Sequence, residues 1–416
     1  MKRRLSVGLV DQAVIALANA ANPILAAALL DRRAAGIMLF AVVFAYFANG
    51  LGRAFVCEVL LTLAPRLDGE ERRTLVRDGA ATALCYGVLA SLVLVGLWAT
   101  GIDSLRDLVW AAPAVPLILL QDTGRHTALA DGKPARALVI DATWVGTQAA
   151  LIAVLVVADA VRGATLLLAW GTGASVAAGL WLLRDRVNPL RGTPRGWITR
   201  TRHLAGWFTA TALVGQTHTL VIATSVVNFL DPVALAILRL AQTGVLQPVQ
   251  NLVTAMNSML VPRASRLAAA GDAQGLRRQT FRMAGGLGAL GVVIAVIAAL
   301  SARPFLELAL PKYVDAATLA VPIAIQATIY LLQVPFTAAL RGMHRPKSLL
   351  VQYLIFSAVS LTGLVLGAWL GGLRAAVWGL AFGSAFGLGV MIAQYLLAER
   401  ALRAGATPAP SPAPAP

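Results

Sequence analysis

The chain has 416 residues, of which 58% are apolar and only 13% are charged, and its mean hydropathy is +0.74. About a quarter of the residues are charged in an ordinary soluble domain, so this composition excludes that class and indicates an integral membrane protein. The net charge of +16 does not indicate a nucleic-acid-binding protein, because the basic residues are concentrated in the loops on one side of the predicted membrane spans.

Twelve apolar stretches of about 20 residues, the length that crosses the core of a bilayer, predict twelve transmembrane helices. They cover residues 7–30, 36–60, 79–100, 107–128, 137–158, 164–183, 206–229, 232–260, 283–302, 317–340, 349–370 and 375–397. The polar segments between them are short, so we expect an all-α integral membrane protein without a separate soluble domain.

The number of spans predicts how the chain is organised. We expect an N-terminal six-helix half at residues 1–183, a basic cytoplasmic connector at 184–205 and a C-terminal six-helix half at 206–397. Because six is even, both halves enter the membrane in the same sense and are predicted to be parallel repeats around a central cavity. The Pro/Ala-rich tail at 398–416 cannot form a core and is predicted to be disordered.

The charges of the loops predict the orientation in the membrane. With the N-terminus in the cytoplasm, 25 basic residues fall on the cytoplasmic side and seven on the other side. This asymmetry follows the positive-inside rule, places both termini in the cytoplasm, and makes anionic membrane lipids the expected partner of the excess charge. Thirty-one arginines against four lysines suggest a GC-rich bacterial genome, and the location is then the inner (cytoplasmic) membrane.

An internal repeat supports the two-half organisation. In both halves a Leu-x-Pro-Arg sequence is followed by two adjacent arginines and by a third arginine four residues on. The first copy comprises residues 63–66 with Arg72, Arg73 and Arg77, and the second comprises residues 260–263 with Arg277, Arg278 and Arg282. A repeat that embraces several spans is typical of transporters, in which the substrate site lies at the interface of the halves.

Polar residues form stripes along several predicted spans at helical spacing. The four stripes contain Asp11 and Asn22 in the first span, Asp141 and Gln148 in the fifth, Arg239, Gln250 and Asn257 in the eighth, and Gln326, Tyr330, Gln333 and Thr337 in the tenth. In the second span, Asn49 lies near Arg53 in helical phase and is a further candidate. One such group alone is explained by a hydrogen bond between two helices. Several stripes in both halves together favour the polar walls of a water-filled cavity, and their residues are therefore candidate substrate ligands.

Three arginines within the spans are further candidates, since charges at membrane depth are costly and often functional. Arg53 is nearly opposite Glu58 in helical phase, which predicts that these two do not pair. Arg125 either forms an i,i+3 ion pair with Asp122 at the membrane interface or contributes to the substrate site. Arg239 is deep enough to need a partner and lies on a polar stripe.

Two aspartates within the spans have alternative roles. Asp11 and Asp141 are candidate proton or sodium sites that would couple transport to an ion gradient, although either could instead be the counter-ion of an arginine. His218 in the seventh span is predicted to be a hydrogen-bonded packing residue rather than a proton relay.

The sequence offers no signature of catalysis. It contains no Walker A motif, nucleophile elbow or zinc-ligand spacing, and its two cysteines, Cys57 and Cys85, both fall within spans. We therefore expect no metal and no cofactor. Membrane glycosyltransferases, polymerases and ligases carry their catalytic groups on sizeable external loops, and the predicted outer loops here are short, so the protein is not expected to be an enzyme.

Two segments of the sequence carry a family resemblance. One runs from Gln121-Asp122 through Arg125 and Gly132-Lys133-Pro134 to Asp141 and Trp144, and the other runs from Gln242-Thr243-Gly244 through Pro248, Asn257 and Val261-Pro262-Arg263 to Gly271-Asp272 and Arg277-Arg278. With the twelve-span architecture over about residues 1–400, these segments resemble the multidrug/oligosaccharidyl-lipid/polysaccharide (MOP) flippase superfamily, and in particular its polysaccharide-exporter branch.

The resemblance implies a flippase that exports a polyprenyl-diphosphate-linked oligosaccharide, a polysaccharide precursor, by alternating access. By span and depth, Arg53 and Arg239 match the cavity arginines that are expected to meet the diphosphate. Guanidinium groups suit that role because they pair bidentately with phosphate oxygens and stay charged in a low dielectric. Polysaccharide-assembly proteins are possible partners of the basic cytoplasmic loops.

Other functions remain open on the sequence alone. The main alternative is a cation-coupled drug or metabolite antiporter of the same superfamily or of the major facilitator class. Residues 65–73 depart from the Gly-x-x-x-Asp-Arg-x-Gly-Arg-Arg-like turn of a facilitator. A membrane-embedded polymerase or ligase is disfavoured by the short outer loops, and a structural scaffold by the polar faces at membrane depth.

Overall fold

A computed structural model of the protein describes residues 20–404, except for the side chains of Thr254, Ala255, Ser258 and Pro346. All regular secondary structure in this range is helical. Nine helices among the described residues are long and apolar enough to cross a membrane, and the last of them, Lys347–Arg403, is broken in the middle and provides two crossings. The prediction of an all-α, multi-pass membrane protein is confirmed.

The chain forms two compact units, Met1–Ala236 and Ile237–Pro416. The described helices of the first unit are α1 (Ala20–Leu29), α2 (Arg32–Gly52), α3 (Glu58–Leu63), α4 (Gly69–Trp98), α5 (Leu108–Ala111), α6 (Ala114–Ala130), α7 (Pro134–Val157), α8 (Gly163–Arg184) and α9 (Pro194–Phe229). Helix α10 (Pro232–Ala269) begins in the first unit and continues into the second, where α11 (Ala273–Ala309), α12 (Ala320–Gly342) and α13 (Pro346–Arg403) follow.

The segment predicted as a connector, 184–205, contains the beginning of α9. Pro194 lies in the first turn of this helix, where a residue without an N–H group breaks no hydrogen bond. Trp197 is fully buried in the core of the first unit together with Leu60. Helix α9 packs against α2 and α4 and belongs to the first compact unit, which ends at Ala236.

Helix α6 is the centre of the first unit. It packs against α4, α7 and α8, and 13 of its 17 residues are buried. The approach to α8 is close, because a Cβ atom on Gly124 would lie 2.5 Å from the ring of Trp181. A helix surrounded in this way must satisfy its polar side chains within the protein, and α6 carries several of them.

A π-helical turn, Arg53–Cys57, connects α2 to α3. Such turns are rare, and they occur frequently at functional sites because the extra residue re-aims the side chains around it. Here the turn begins at Arg53, in the middle of a span that runs over Arg32–Arg66.

Helix α13 is broken by two glycines into the two spans predicted at 349–370 and 375–397. Gly372 has a φ of 65°, a left-handed conformation that glycine adopts without steric cost. The two arms of α13 then cross closely, since a Cβ atom on Gly379 would lie 2.0 Å from the carbonyl oxygen of Gly363. Small residues at such crossings allow helix backbones to approach within a membrane.

Gly379→Ala is expected to destabilise the protein by about 1–3 kcal/mol, the usual cost of overpacking, because its methyl group has no room against Gly363. Gly389→Ala is the matched control, since no heavy atom lies within 4 Å of a Cβ atom there. Thermal unfolding of both variants in detergent measures the difference. Equal melting temperatures for the two would contradict the close crossing.

Candidate functional site

The first polar cluster is built on an ion pair between α6 and the π-helical turn. Both the Nε and Nη2 groups of Arg53 donate to a single oxygen, Oδ2, of Asp122, at 3.0 and 2.5 Å. The side chain of Arg53 is 49% exposed and that of Asp122 only 6%. The side chain of Asp122 is therefore enclosed, whereas that of Arg53 is half exposed.

This arrangement corrects the predicted interfacial pair of Arg125 with Asp122. Asp122 is bound by Arg53 across two helices, and Arg125 instead forms a salt bridge with Asp141. Positions three apart on a helix differ by about 60° in direction, so Asp122 faces the π-helical turn while Arg125 faces α7. The prediction that Arg53 does not pair with Glu58 agrees with the partner found for Arg53.

Asp141 is the centre of a second, more enclosed interaction. Its Oδ2 accepts from Nε of Arg125 at 2.9 Å, and its Oδ1 accepts from Nε2 of Gln121 at 2.8 Å. The side chains of Arg125 and Asp141 are 11% and 3% exposed. Asp141 is thus the counter-ion of an arginine, one of the two roles that the sequence left open, and its role in ion coupling stays a prediction.

The other polar residues predicted as candidates in the first unit lie outside these two ion pairs. Nε2 of Gln148 donates to Oδ1 of Asn22 at 3.1 Å, which joins α7 to α1. Asn49 is buried one turn before Arg53, and within residues 20–404 neither its amide nitrogen nor its amide oxygen has a hydrogen-bond partner. Asp11 lies outside the described residues.

The second polar cluster surrounds a cavity of about 240 Å³ between α10 and α12, entirely within the second unit. Three predicted ligands, Gln250, Asn257 and Gln333, line it, and they are joined by Tyr330 and Thr337 from the same stripe of α12. Amide and hydroxyl groups are the polar part of its lining, and Val253 and Val334 are the apolar part. The cavity therefore offers neutral donors and acceptors.

Gln326 is placed away from this cavity. Its Nε2 donates to the hydroxyl of Tyr330 at 3.1 Å and lies 3.3 Å from Oγ of Ser384 on α13. It is buried at 3% exposure. Gln326 therefore joins α12 to α13 and orients Tyr330, so it supports the cavity without lining it.

Arg239 lies on α10, but it is far from the cavity along the axis of this helix. It precedes Gln250 by eleven residues, about 16 Å along a straight helix. Its Nη1 donates to Oε1 of Gln242 at 3.3 Å, and its backbone carbonyl accepts from the hydroxyl of Thr243 at 2.8 Å. In the second unit the arginine and the amide-lined cavity are therefore separate features.

The sequence matches no family model and no curated protein, but solved structures share its fold. A multidrug resistance MATE family transporter of the MOP superfamily, in an inward-facing conformation, aligns with a TM-score of 0.76 at 14% identity over 96% of this chain and 98% of that one. The lipid II flippase MurJ, inward closed, aligns with a TM-score of 0.69 at 12% identity over 97% and 90%. A MOP superfamily transporter from Pyrococcus furiosus aligns with a TM-score of 0.66 at 15% identity over 96% and 95%. The chain has the MOP transporter fold.

The MOP fold confirms the architecture that the resemblance implied. A fold hosts different functions, so function must be argued from the residues of this chain. Sequence reasoning missed three residues of the first cluster: Gln121, Asp122 as the partner of Arg53, and His126, whose Nδ1 lies 2.8 Å from the backbone oxygen of Asp122. The signal for them was present, because adjacent polar residues in one apolar span point in several directions and indicate a helix surrounded by protein.

Proposed function

We propose that this protein is a flippase that moves a polyprenyl-diphosphate-linked oligosaccharide, a polysaccharide precursor, across the cytoplasmic membrane of a bacterium. Both termini lie in the cytoplasm in this proposal, and transport proceeds by alternating access without covalent chemistry. The MOP fold supports a transporter, and one of the proteins that share it is a lipid II flippase. The choice of an anionic lipid as substrate rests on the first polar cluster.

Arg53 is the observation that carries the proposal. The side chain of Arg53 is half exposed while that of its counter-ion is enclosed, so the arginine is the accessible member of the pair, and it lies within an apolar span. A guanidinium group has five N–H donors, and Asp122 engages two of them through one oxygen. The remaining donors suit the oxygens of a phosphate group, with which arginine forms strong, charge-assisted hydrogen bonds.

The cavity of the second unit offers neutral polar groups. Its amides and hydroxyls, from residues such as Gln250, Asn257 and Gln333, match the hydroxyl groups of a neutral sugar. Binding sites for small polar ligands combine a few placed polar groups with apolar walls in this way. We assign the diphosphate to Arg53 in the first unit, and we separately assign to this cavity of the second unit a contact with sugar hydroxyl groups.

Gln333→Leu is expected to lower transport about two- to tenfold, because it removes a neutral hydrogen-bonding group from the cavity and keeps the volume. Thr328→Val is the matched control on the same helix, since the hydroxyl of Thr328 bonds only to the backbone oxygen of Ala324 within the described residues. Export of surface polysaccharide at equal protein levels measures both. Equal effects of the two substitutions would exclude Gln333 as a ligand.

A cation-coupled drug or metabolite antiporter is the second candidate. It is favoured by the MATE transporters that share the fold, and by the buried Asp141, which could exchange a proton if Arg125 were released. A cationic drug would be repelled by the exposed Arg53. In the solved MOP transporter from Pyrococcus furiosus, a reversed polarity of the binding pocket suggests a different function, so substrate classes differ within this fold, and an arginine such as Arg53 favours an anionic substrate over a cationic one.

Deleting the gene in the source organism tests the proposal. Polyprenyl-linked glycans are extracted, and their amount and their distribution between the two leaflets are compared with the parent strain. Accumulation of a lipid-linked oligosaccharide on the cytoplasmic leaflet is expected, and mass spectrometry of that lipid identifies the sugar. Unchanged amount and sidedness, together with altered drug or metabolite efflux, would replace the flippase by the antiporter.

A further inference from the structure

A groove rich in arginine lies between α10 and α11 of the second unit, separate from both polar clusters. It has a volume of about 780 Å³, and its lining includes Arg263, Arg266, Arg278, Gln279 and Arg282. These four arginines belong to the second copy of the repeated sequence or to its immediate neighbourhood, which the proposed function does not use.

The arginines of this groove are not neutralised by salt bridges. In the part of the chain that the structure describes, the salt bridges of this region involve Arg277 and Arg403, which both contact Glu399 on α13. Asp272, the carboxylate closest in sequence, caps α11 by accepting from the backbone N–H of Gly275 at 2.7 Å. Four arginines therefore line one groove, and none of them has a salt bridge within residues 20–404.

The first copy of the repeat has one more arginine with an acidic partner than the second copy, in which Arg277 contacts Glu399. Arg72 forms a salt bridge with Asp131, and Nη1 of Arg73 lies 3.8 Å from a carboxylate oxygen of Glu70. Two basic residues of that copy are thus compensated inside their own unit. An arginine cluster can therefore be partly neutralised within its own unit, whereas the lining of the groove in the second copy contains no acidic residue among the described residues.

The position of the groove favours a lipid as its anion. Arg263 follows the eighth predicted span and Arg282 immediately precedes the ninth, so the groove lies at a membrane interface, which the positive-inside rule places in the cytoplasm. Ala264 and Leu276 are buried in the core formed with α12 and α13. Farther along α11, apolar side chains such as Val292 are exposed and suit contact with acyl chains.

We propose that this groove binds the headgroup of an anionic phospholipid that carries two phosphates, such as cardiolipin. Basic pockets between transmembrane helices on the cytoplasmic side are suited to such headgroups, and four arginines provide enough donors to engage both phosphates. The volume of the groove exceeds what one phosphate group fills. The bound lipid would bridge the end of α10 and the beginning of α11. It would be a structural lipid and not the transported substrate.

Binding of cardiolipin to the full-length protein in detergent tests this site. Native mass spectrometry counts the lipids retained as cardiolipin or phosphatidylcholine is titrated. The double variant Arg278→Gln, Arg282→Gln is expected to bind cardiolipin about thirtyfold more weakly than the parent, given the usual contribution of basic residues near anionic lipids. Arg263→Gln, Arg266→Gln on the facing helix is expected to show the same loss, which guards against a folding defect in one variant.

The double variant Arg191→Gln, Arg195→Gln is the matched control, because it removes two exposed arginines of the predicted cytoplasmic side from outside the groove. It is expected to bind cardiolipin like the parent protein. If all three double variants bound cardiolipin equally weakly, the loss would be explained by the lower net charge alone, and the proposed site would be wrong. Displacement of cardiolipin by inorganic pyrophosphate at similar concentrations would identify a soluble anion instead of a lipid. Lipid-linked glycan is absent from this assay, so its outcome is independent of the flippase proposal.

Discussion

Arg53→Gln is expected to reduce export of the lipid-linked glycan roughly ten- to a hundredfold. The physical reason is the loss of charge-assisted hydrogen bonds to phosphate, each contributing about 1.5–3 kcal/mol. Glutamine keeps part of the length of the side chain and can still donate to Asp122, but it presents no cation. The ratio of lipid-linked glycan on the two leaflets, at matched protein levels, measures the effect.

Stability must be separated from transport in this experiment. Removing one partner of a buried ion pair costs about 3–5 kcal/mol, because the other charge is left enclosed, and Asp122 is only 6% exposed. The double variant Arg53→Gln, Asp122→Asn removes both charges, so its melting temperature should recover while export stays low. Recovery of export in the double variant would show that Arg53 serves only to neutralise Asp122.

The exposed pair of Arg33 with Asp103 provides the matched control. Nη2 of Arg33 lies 2.9 Å from Oδ2 of Asp103, and both side chains are more than half exposed. Surface pairs of this kind contribute at most about 1 kcal/mol. The variant Arg33→Gln, Asp103→Asn removes the same chemical groups from the same unit and is expected to retain both stability and export.

Hydropathy alone predicted the helices because crossing a bilayer imposes a length and a composition on each span. The break of α13 at Gly371 and Gly372 falls between the two spans predicted at 349–370 and 375–397. The boundary between the compact units was less predictable. It depends on α9 packing against α2 and α4, which is a tertiary contact with no signature in the composition of 184–205.

The polar residues show where helical phase stops being informative. Phase placed Gln250 and Asn257 on one stripe, and they line one cavity. Phase alone could not choose the neighbour that each stripe faces, so a pair of Asp122 with Arg125 on its own helix was one of two alternatives, and the partner found for Asp122 is Arg53 on another helix. In a helix surrounded by protein every face has a partner, and the partner depends on the packing of the other helices.

Asp141→Ala is expected to destabilise the first unit by about 3–5 kcal/mol, the usual cost of breaking a buried ion pair. The substitution removes the carboxylate that accepts from both Arg125 and Gln121, in a region where the side chain of Arg125 is 11% exposed. Thermal unfolding in detergent measures the loss. Unchanged stability would show that Arg125 and Gln121 find sufficient partners elsewhere.

The double variant Arg125→Gln, Asp141→Asn then distinguishes a counter-ion from a coupling site. It removes both charges and keeps hydrogen-bonding groups of similar size, so its melting temperature should recover towards that of the parent. If Asp141 is only the counter-ion of Arg125, export by this variant still responds to an imposed proton or sodium gradient. If Asp141 couples transport to an ion, the variant folds but its export no longer responds, because an amide neither takes up a proton nor supplies a charged ligand to sodium. Protonation of Asp141 would also weaken its salt bridge with Arg125. Asp141 would then link ion binding to a movement of Arg125.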